Sequence, residues 1–431
     1  MRCTSNSSTG LPVNRDAMRA RIRFSPLRPG QTGVACPSLC FMRIHILILA
    51  CFATALSAEV RYKVIALDSG EPSHLSGWPF AINNHGDVVG ESYAMSAFRF
   101  SDAKGFEDLG QAAAGGNYTV AMGINDNEII SAIGNTVPYG YLGLFVYTAS
   151  GGFAQVPLPP GADMYSTSIN NRGQHAGTYS VSNGDNVSFV YTPGQGFEEI
   201  VSLGGEDSTT FAINDLGWVT GFVADGQAFL FKPESGMNDI GAGVGWAVNN
   251  QGVVAGGTGM YGPSTGGVFA NGRVFVIGGG KAEGINNRDV VVGDGAYVWT
   301  ASEGMDDLNS LIDTNSGWAL WEAVAVNDAG QITGNGLFEG AACAFRLDPI
   351  PPTLSLNPAG TNLLVSWSPA WQDVMLQQND NLTTTNWTDL PNASVSPITL
   401  PATATQGFYR LRRLTNDEMH QQFLQWLSSQ P

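Results

Sequence analysis

The chain has 431 residues, 43% of them hydrophobic and only 13% charged, with 54 Gly and 22 Pro. That apolar share excludes wholesale disorder, while low charge and abundant Gly, with Asn, Ser and Thr as the polar residues, is the composition of many-turned β proteins and of exported ones. The net charge of −17 steepens to 13 basic against 36 acidic residues once positions 1–58 are set aside. A surface that acidic repels phosphate backbones and anionic membranes, which argues against nucleic acid and leaves a divalent cation or a basic partner open.

Residues 42–58, MRIHILILACFATALSA, read as a secretory signal peptide. Met42 and Arg43 form a short positive start, Ile44–Leu56 an apolar stretch, and small residues offer cleavage sites near Ala58. Residues 1–41 are Arg-rich without apolar periodicity, so Met42 is expected to be the true start and the upstream segment either not native or an unusually long positive start. Ile48-Leu49-Ala50-Cys51 resembles a lipobox, but cleavage there would leave too short an apolar core. Cys3, Cys36, Cys40 and Cys51 all fall in or before this leader. Only Cys343 is left to the mature chain, which therefore has no internal disulfide. No later apolar stretch is long enough to span a bilayer. The expected product is soluble and secreted, at the cell surface, outside it or in the periplasm.

From there the chain repeats itself. Ala81-Ile82-Asn83-Asn84-His85-Gly86-Asp87-Val88-Val89-Gly90 returns around Asn125, Asn170, Asn214, Asn249, Asn286 and Asn327, at spacings of 42, 45, 44, 35, 37 and 41 residues. Each copy keeps Asn followed by Asn or Asp, and five of seven keep the Gly two positions later, Glu128 and Asp289 being the exceptions. This is hairpin chemistry: Asx side chains bond nearby backbone N–H groups, and Gly takes a positive φ. A calcium loop is the other reading of Asn-Asp-x-Gly, with fewer carboxylates than such cages use. A second mark follows in each copy, a small residue before an aromatic, as in Ala97-Phe98-Arg99-Phe100 and Ala344-Phe345-Arg346-Leu347, with Val268-Phe269-Ala270 the weakest. A fourth strand follows a Gly turn in most copies, as at Gly105–Gly110.

Four short strands per repeat of about 41 residues is the pattern of a β-propeller blade. The seventh copy stops after its third strand at Asp348-Pro349, and Tyr62–Leu67 has the look of the missing fourth. The predicted fold is therefore all-β: a seven-bladed β-propeller over 59–348, closed by an N-terminal strand. The Ile-Asn-Asn-x-Gly-x-Val-x-Gly hairpin and its Ala-Phe strand resemble the HAF-repeat family of bacterial proteins. The resemblance implies export and repetition and brings no catalytic residues; the His that precedes Ala-Phe in that family is absent from every copy here.

Pro349–Pro352 reads as a stiff linker. Residues 353–414 alternate apolar and polar around Leu363, Val365 and Trp367, which predicts a small β-sandwich with Trp367 in its core and resembles fibronectin type III-like modules. Residues 415–431 predict a short amphipathic helix, with Thr415 and Glu418 as a capping box and Met419, Phe423, Trp426 and Leu427 on one face. It is expected to pack on the sandwich; docking to a partner is the alternative.

Function on such a scaffold sits in the variable connections. The segments entering the Asn-turn strands carry Trp78, Tyr118, Tyr165, Trp246, Trp318 and Trp321, expected to ring one mouth of a central channel. Aromatic faces beside Asn and Asp suit sugars; the plainer reading is that these rings cap blade cores. The mature chain has four His and no Gly-x-Ser-x-Gly, His-Glu-x-x-His or phosphate loop. Carboxylate pairs such as Glu206-Asp207 and Asp306-Asp307 sit in turn-like contexts. The expectation is a monomeric, non-enzymatic binding or surface-interaction protein without a cofactor, calcium being left open, whose ligand is a glycan or an extracellular protein. The alternatives are a polysaccharide-active enzyme with acidic residues at the channel mouth, and a purely structural protein.

Overall fold

The computed structural model describes residues 59–430, apart from 69–76, 136–139, 182–183, 203–206, 260–263, 392–393 and 402–406. The leader and the segment before it lie outside the described residues, as do His74 and Glu206. Among the described residues no helix is long and apolar enough to cross a membrane.

Seven four-stranded antiparallel sheets, counted among the described residues, make a propeller-like repeat. We number the repeats by their Asn, from Asn83 (repeat 1) to Asn327 (repeat 7). The first strands are Trp78–Ile82, Thr119–Ile124, Asp163–Ile169, Ser208–Ile213, Val244–Val248, Ala282–Ile285 and Trp318–Val326, and each ends just before its Asn. Six sheets keep their strands in chain order. In the seventh, the place beside Ala341–Pro349 is taken by Tyr62–Ala66, antiparallel, with Tyr62 opposite Pro349 and Ala66 opposite Phe345. First strands of consecutive repeats touch, and that of repeat 7 touches that of repeat 1.

The two marks read separately along the sequence are partners across strands. The Gly or Ala of the second strand stands opposite the third-strand aromatic in Gly90–Phe98, Ala132–Phe145, Gly177–Phe189, Gly221–Phe229, Gly293–Tyr297 and Gly334–Phe345. Repeat 5, the weakest match, shifts its register and sets Phe269 opposite Val254. All seven aromatics, Phe269 included, are no more than 3% exposed, each contributing roughly 2–3 kcal/mol of burial. The second-strand Gly is also pressed from its other side: a Cβ on Gly221 would meet the Thr209 carbonyl oxygen at 1.8 Å. That close approach comes from a bulge in the first strand between Thr210 and Ala212.

The repeated Asn does more than turn the chain. Within its own hairpin its Oδ1 accepts backbone N–H groups two and four residues on, as from Leu216 and Trp218 to Asn214. Its Nδ2 donates to the carbonyl of the next repeat's Asn: Asn83 to Asn125, then to Asn170, Asn214, Asn249, Asn286 and Asn327 in turn, and Asn327 back to Asn83, at 2.8–3.2 Å. The following residue forms a second cycle. Each of Asn84, Asp126, Asn171, Asp215, Asn250, Asn287 and Asp328 donates its backbone N–H to the side-chain oxygen of the next, the last returning to Asn84, at 2.8–2.9 Å. The turn's third step takes a positive φ even where Gly is missing, at Glu128 (60°) and Asp289 (57°).

The C-terminal module pairs two three-stranded sheets, over 353–401 and 374–413, around buried Val365, Trp367, Val374 and Leu376. It is tied to the repeats by the buried Arg288 guanidinium, which bonds the Leu414 carbonyl (2.8 Å) and the Asp373 carboxylate (2.7 Å). Helix α1 (Asn416–Ser429) carries the Thr415–Glu418 capping box. Its expected seat on the sandwich is corrected: Phe423 and Leu427 are buried in one cluster with Phe275 and Trp299 of repeats 5 and 6. Trp426 lies 4.9 Å from Trp299 and 5.6 Å from Phe275, ring to ring. The sandwich fills its own core, whereas those two large rings need a cover, and the helix's apolar stripe supplies it.

Two outcomes follow. Asn214→Asp keeps the acceptor but removes the Nδ2 donor and buries a charge, and should destabilise the protein by about 3 kcal/mol in denaturant unfolding; Asn238→Asp, at an exposed position, serves as the control. His420 Nδ1 lies 2.8 Å from Asp289 Oδ2, and that hydrogen bond raises the His420 pKa. The helix seat is therefore strongest below about pH 6.5 and loses this contribution as pH rises through the raised value. Protease cleavage within α1 should accelerate over that window in the parent and not in His420→Gln.

Candidate functional site

Every first strand has its repeated Asn at one end and its variable entry at the other, about 16 Å away for five residues. The Asn end is one opening of about 160 Å³ lined by all seven turns. Its side chains are committed: the seven Asn are at most 5% exposed, and Asp126 and Asp215 accept both a backbone N–H and neighbouring carboxamides. Oxygens that a calcium ion would need already accept N–H donors. The group His85, Asp87 and Glu128 is close enough to share a cation, yet Arg99 Nη2 sits 2.6 Å from Asp87 and 2.9 Å from Glu128 and supplies the positive charge itself.

The six aromatics lie at the opposite end, away from the repeated Asn and Asp side chains, and this corrects the idea that the two act together. Trp78 is 44% exposed and tilts against Tyr93 at 4.8 Å between ring centres. Tyr165 is 64% exposed, turned out by a bulge between Met164 and Ser166. Trp321 is 41% exposed at a bulge between Leu320 and Glu322. Trp246 is half-buried, with one neighbour, Phe211, stacked at 4.2 Å and the Lys281 ammonium 5.1 Å from its ring centre. Tyr118 packs into the core around Val120 and Ile133, where burial and the nearby Glu91 carboxylate raise its hydroxyl pKa. Trp318 stacks on Phe338 at 5.1 Å and meets Phe345 edge-on. Tyr118 and Trp318 are thus core-capping rings.

The sequence reading missed the other half of this end. First-strand bulges three residues before the Asn re-aim Phe80, Met122, Phe211, Trp246, Glu283 and Val324, so alternation alone misassigns their face. Beside Trp246, Lys281 Nζ pairs with Glu283 Oε1 at 2.9 Å, the Glu322 carboxyl lies near enough to raise the Glu283 pKa, and Asn335 donates to Glu322 at 2.8 Å. Two carboxyls from different repeats therefore converge. Burial, and after it the Glu322 charge, outweigh Lys281 and push Glu283 up to about 7. Glu283 is held by Lys281 and Glu322 by Asn335, so each carboxyl already has a structural partner.

The remaining candidates for chemistry are structural. Asp306 faces Arg61 at 3.9 Å, and Asp307 caps a short 3-10 turn. His175, held by Ser131 at 3.0 Å, is pushed down to about 4 by burial and stays neutral.

The exposed aromatic side chains of the repeats gather at the connection end. Trp321 and Leu337 of repeat 7, Trp78, Tyr93 and Met95 of repeat 1, Tyr141 of repeat 2 and Tyr165 of repeat 3 form an arc of consecutive repeats. At the Asn-turn end the described turns present Leu216 alone among large exposed hydrophobics.

Glu283 gives this end a pH signature. Between about pH 4.5 and 7 the unfolded chain releases a proton that the folded one keeps, so stability should fall as pH rises through that window. The melting temperature of Glu283→Gln should be flat by comparison; parallel profiles for parent and variant would contradict the assignment.

No family model matches the chain, and no curated protein matches it. Among solved structures it is similar to YCF48 bound to D1 peptide, at 9% identity and a TM-score of 0.43 over 67% of this chain and 97% of that one. TolB from Acinetobacter baumannii matches at 10% identity and 0.38, over 61% and 62%. The Cps50 (Swd1) β-propeller domain of Myceliophteria thermophila matches at 10% and 0.40, over 67% and 99%.

Proposed function

We propose that this chain is an exported, non-enzymatic binding protein: a seven-bladed propeller, closed by its N-terminal strand, that engages a glycan through its connection end. The observation that carries the reading is the one-sided display of exposed aromatics, Trp78, Tyr93, Tyr141, Tyr165 and Trp321, opposite an end whose polar groups are spent on each other. Ring faces of this kind stack on the C–H faces of sugars, and scattered exposure would need no such explanation. Closure is supported by the pairing of Tyr62–Ala66 with Ala341–Pro349 and by the Asn327-to-Asn83 bond. Export rests on the leader residues, and kinship with HAF-repeat proteins and fibronectin type III-like modules rests on sequence patterns alone. The proximity of Glu283 and Glu322 favours the runner-up, an enzyme acting on polysaccharide, though the bonds of Glu283 to Lys281 and of Glu322 to Asn335 suit structural carboxyls better.

A glycan array probed with the purified protein tests the proposal. A hit should weaken at least tenfold in Trp78→Ala and Trp321→Ala, both folded by circular dichroism, and persist in Trp318→Phe. A blank array, or hits indifferent to both exposed Trp, would refute the aromatic arc as a sugar site. Turnover of a bound polysaccharide that Glu283→Gln abolishes would establish the enzyme instead.

A further inference from the structure

The basic side chains of the seven repeats are sorted by end as the aromatics are. The connection end is built from the segments joining second to third strands and fourth to first strands. Among their described residues the single Lys or Arg is Lys281. That one is paired with Glu283. The turns at the other end carry Lys104, Arg172, Lys232 and Arg288. Carboxylates lie at both ends, and at the connection end Asp225, Asp294 and Glu339 are exposed, with Glu322 beside exposed Trp321. An acidic rim around aromatic faces is the chemistry that receives a cation, by ion pairing at the edge and by the negative π-face within. Trp246 already demonstrates it, with the Lys281 ammonium 5.1 Å from its ring centre.

Building on the glycan reading, we infer that the connection end binds a glycan bearing free amino groups, a glucosamine-type polymer, with sugar faces on Trp78, Tyr93 and Trp321 and ammonium groups against Asp294 and Glu339. Neutral sugars would leave the carboxylates unused, and uronic-acid or sulfated glycans would be repelled by them. Recognition of this kind is screened by salt, because the rim charges are exposed.

The test is titration calorimetry of the purified full-length protein with four probes: glucosamine hexamer, its fully N-acetylated counterpart, cellohexaose and hexalysine. The glucosamine hexamer should bind at least tenfold more tightly than the N-acetylated and neutral hexamers in 50 mM NaCl, and should lose most of that advantage in 500 mM NaCl. The double variant Asp294→Asn, Glu339→Gln should remove the preference while leaving the melting temperature unchanged. Equal, salt-independent binding of all three saccharides would overturn the charge inference and leave the aromatic glycan site standing. Binding of hexalysine without any saccharide would overturn the glycan reading in favour of a basic polypeptide partner. Silence from all four probes would overturn both.

Discussion

One primary carboxamide, used from both sides, is the constraint on which the architecture depends. Each repeated Asn spends its oxygen on its own hairpin and its NH₂ on the next one. Turn chemistry by itself tolerates Asp or Ser at that place, because only the acceptor is needed. Coupling each turn to its neighbour requires a donor as well, which Asp lacks, and the Asn carboxamide carries acceptor and donor on separate atoms where Ser has a single hydroxyl. Buried to within 5% of full exclusion from water, an unmatched partner at any of the seven positions would cost the desolvation of a backbone carbonyl.

The second residue of each turn obeys an electrostatic rule. Its order, Asn, Asp, Asn, Asp, Asn, Asn, Asp, never sets two carboxylates side by side, and a cycle of seven admits no more than three charges on those terms. Each Asp then has carboxamide neighbours able to donate, as Asn171 does to both Asp126 and Asp215. Three negative charges are thereby held in a narrow opening without mutual contact. The cost of the arrangement is that this end has little left to offer a ligand.

Because one end is committed, chemical variety is displaced to the other. Bulges in the first strands turn side chains out of alternation there, and connections of unequal length surround them. The same economy explains the C-terminal helix. Phe275 and Trp299 would lie open on repeats 5 and 6, and α1 covers them with Phe423, Trp426 and Leu427 while His420 seats on Asp289. The positive φ at Asp289, where five other repeats have Gly, is repaid by that contact and by the Asn249 amide.

Much of the fold was legible in the residues because its signals are local and repeat. The Asn-x-Gly turn, the buried third-strand aromatic and the orphan strand at Tyr62–Ala66 each follow from short-range stereochemistry or from a count of strands. The helix was legible too, from its capping box and apolar stripe, but its seat was not: that depends on which distant surface is left uncovered. The same holds for the candidate site. Sequence located the aromatics at strand entries, yet could not separate exposed Trp78, Tyr165 and Trp321 from Tyr118 and Trp318 in the cores. Nor could it bring Glu283 to Glu322 or detect the bulges that re-aim them. What the sequence determined by itself is what a residue does to its own turn or strand. What only the tertiary structure decided is how each turn's spare donor meets a neighbour some 40 residues away, and which end is left with exposed aromatic rings. The reason is that hydrogen-bond satisfaction and burial are properties of the assembled chain.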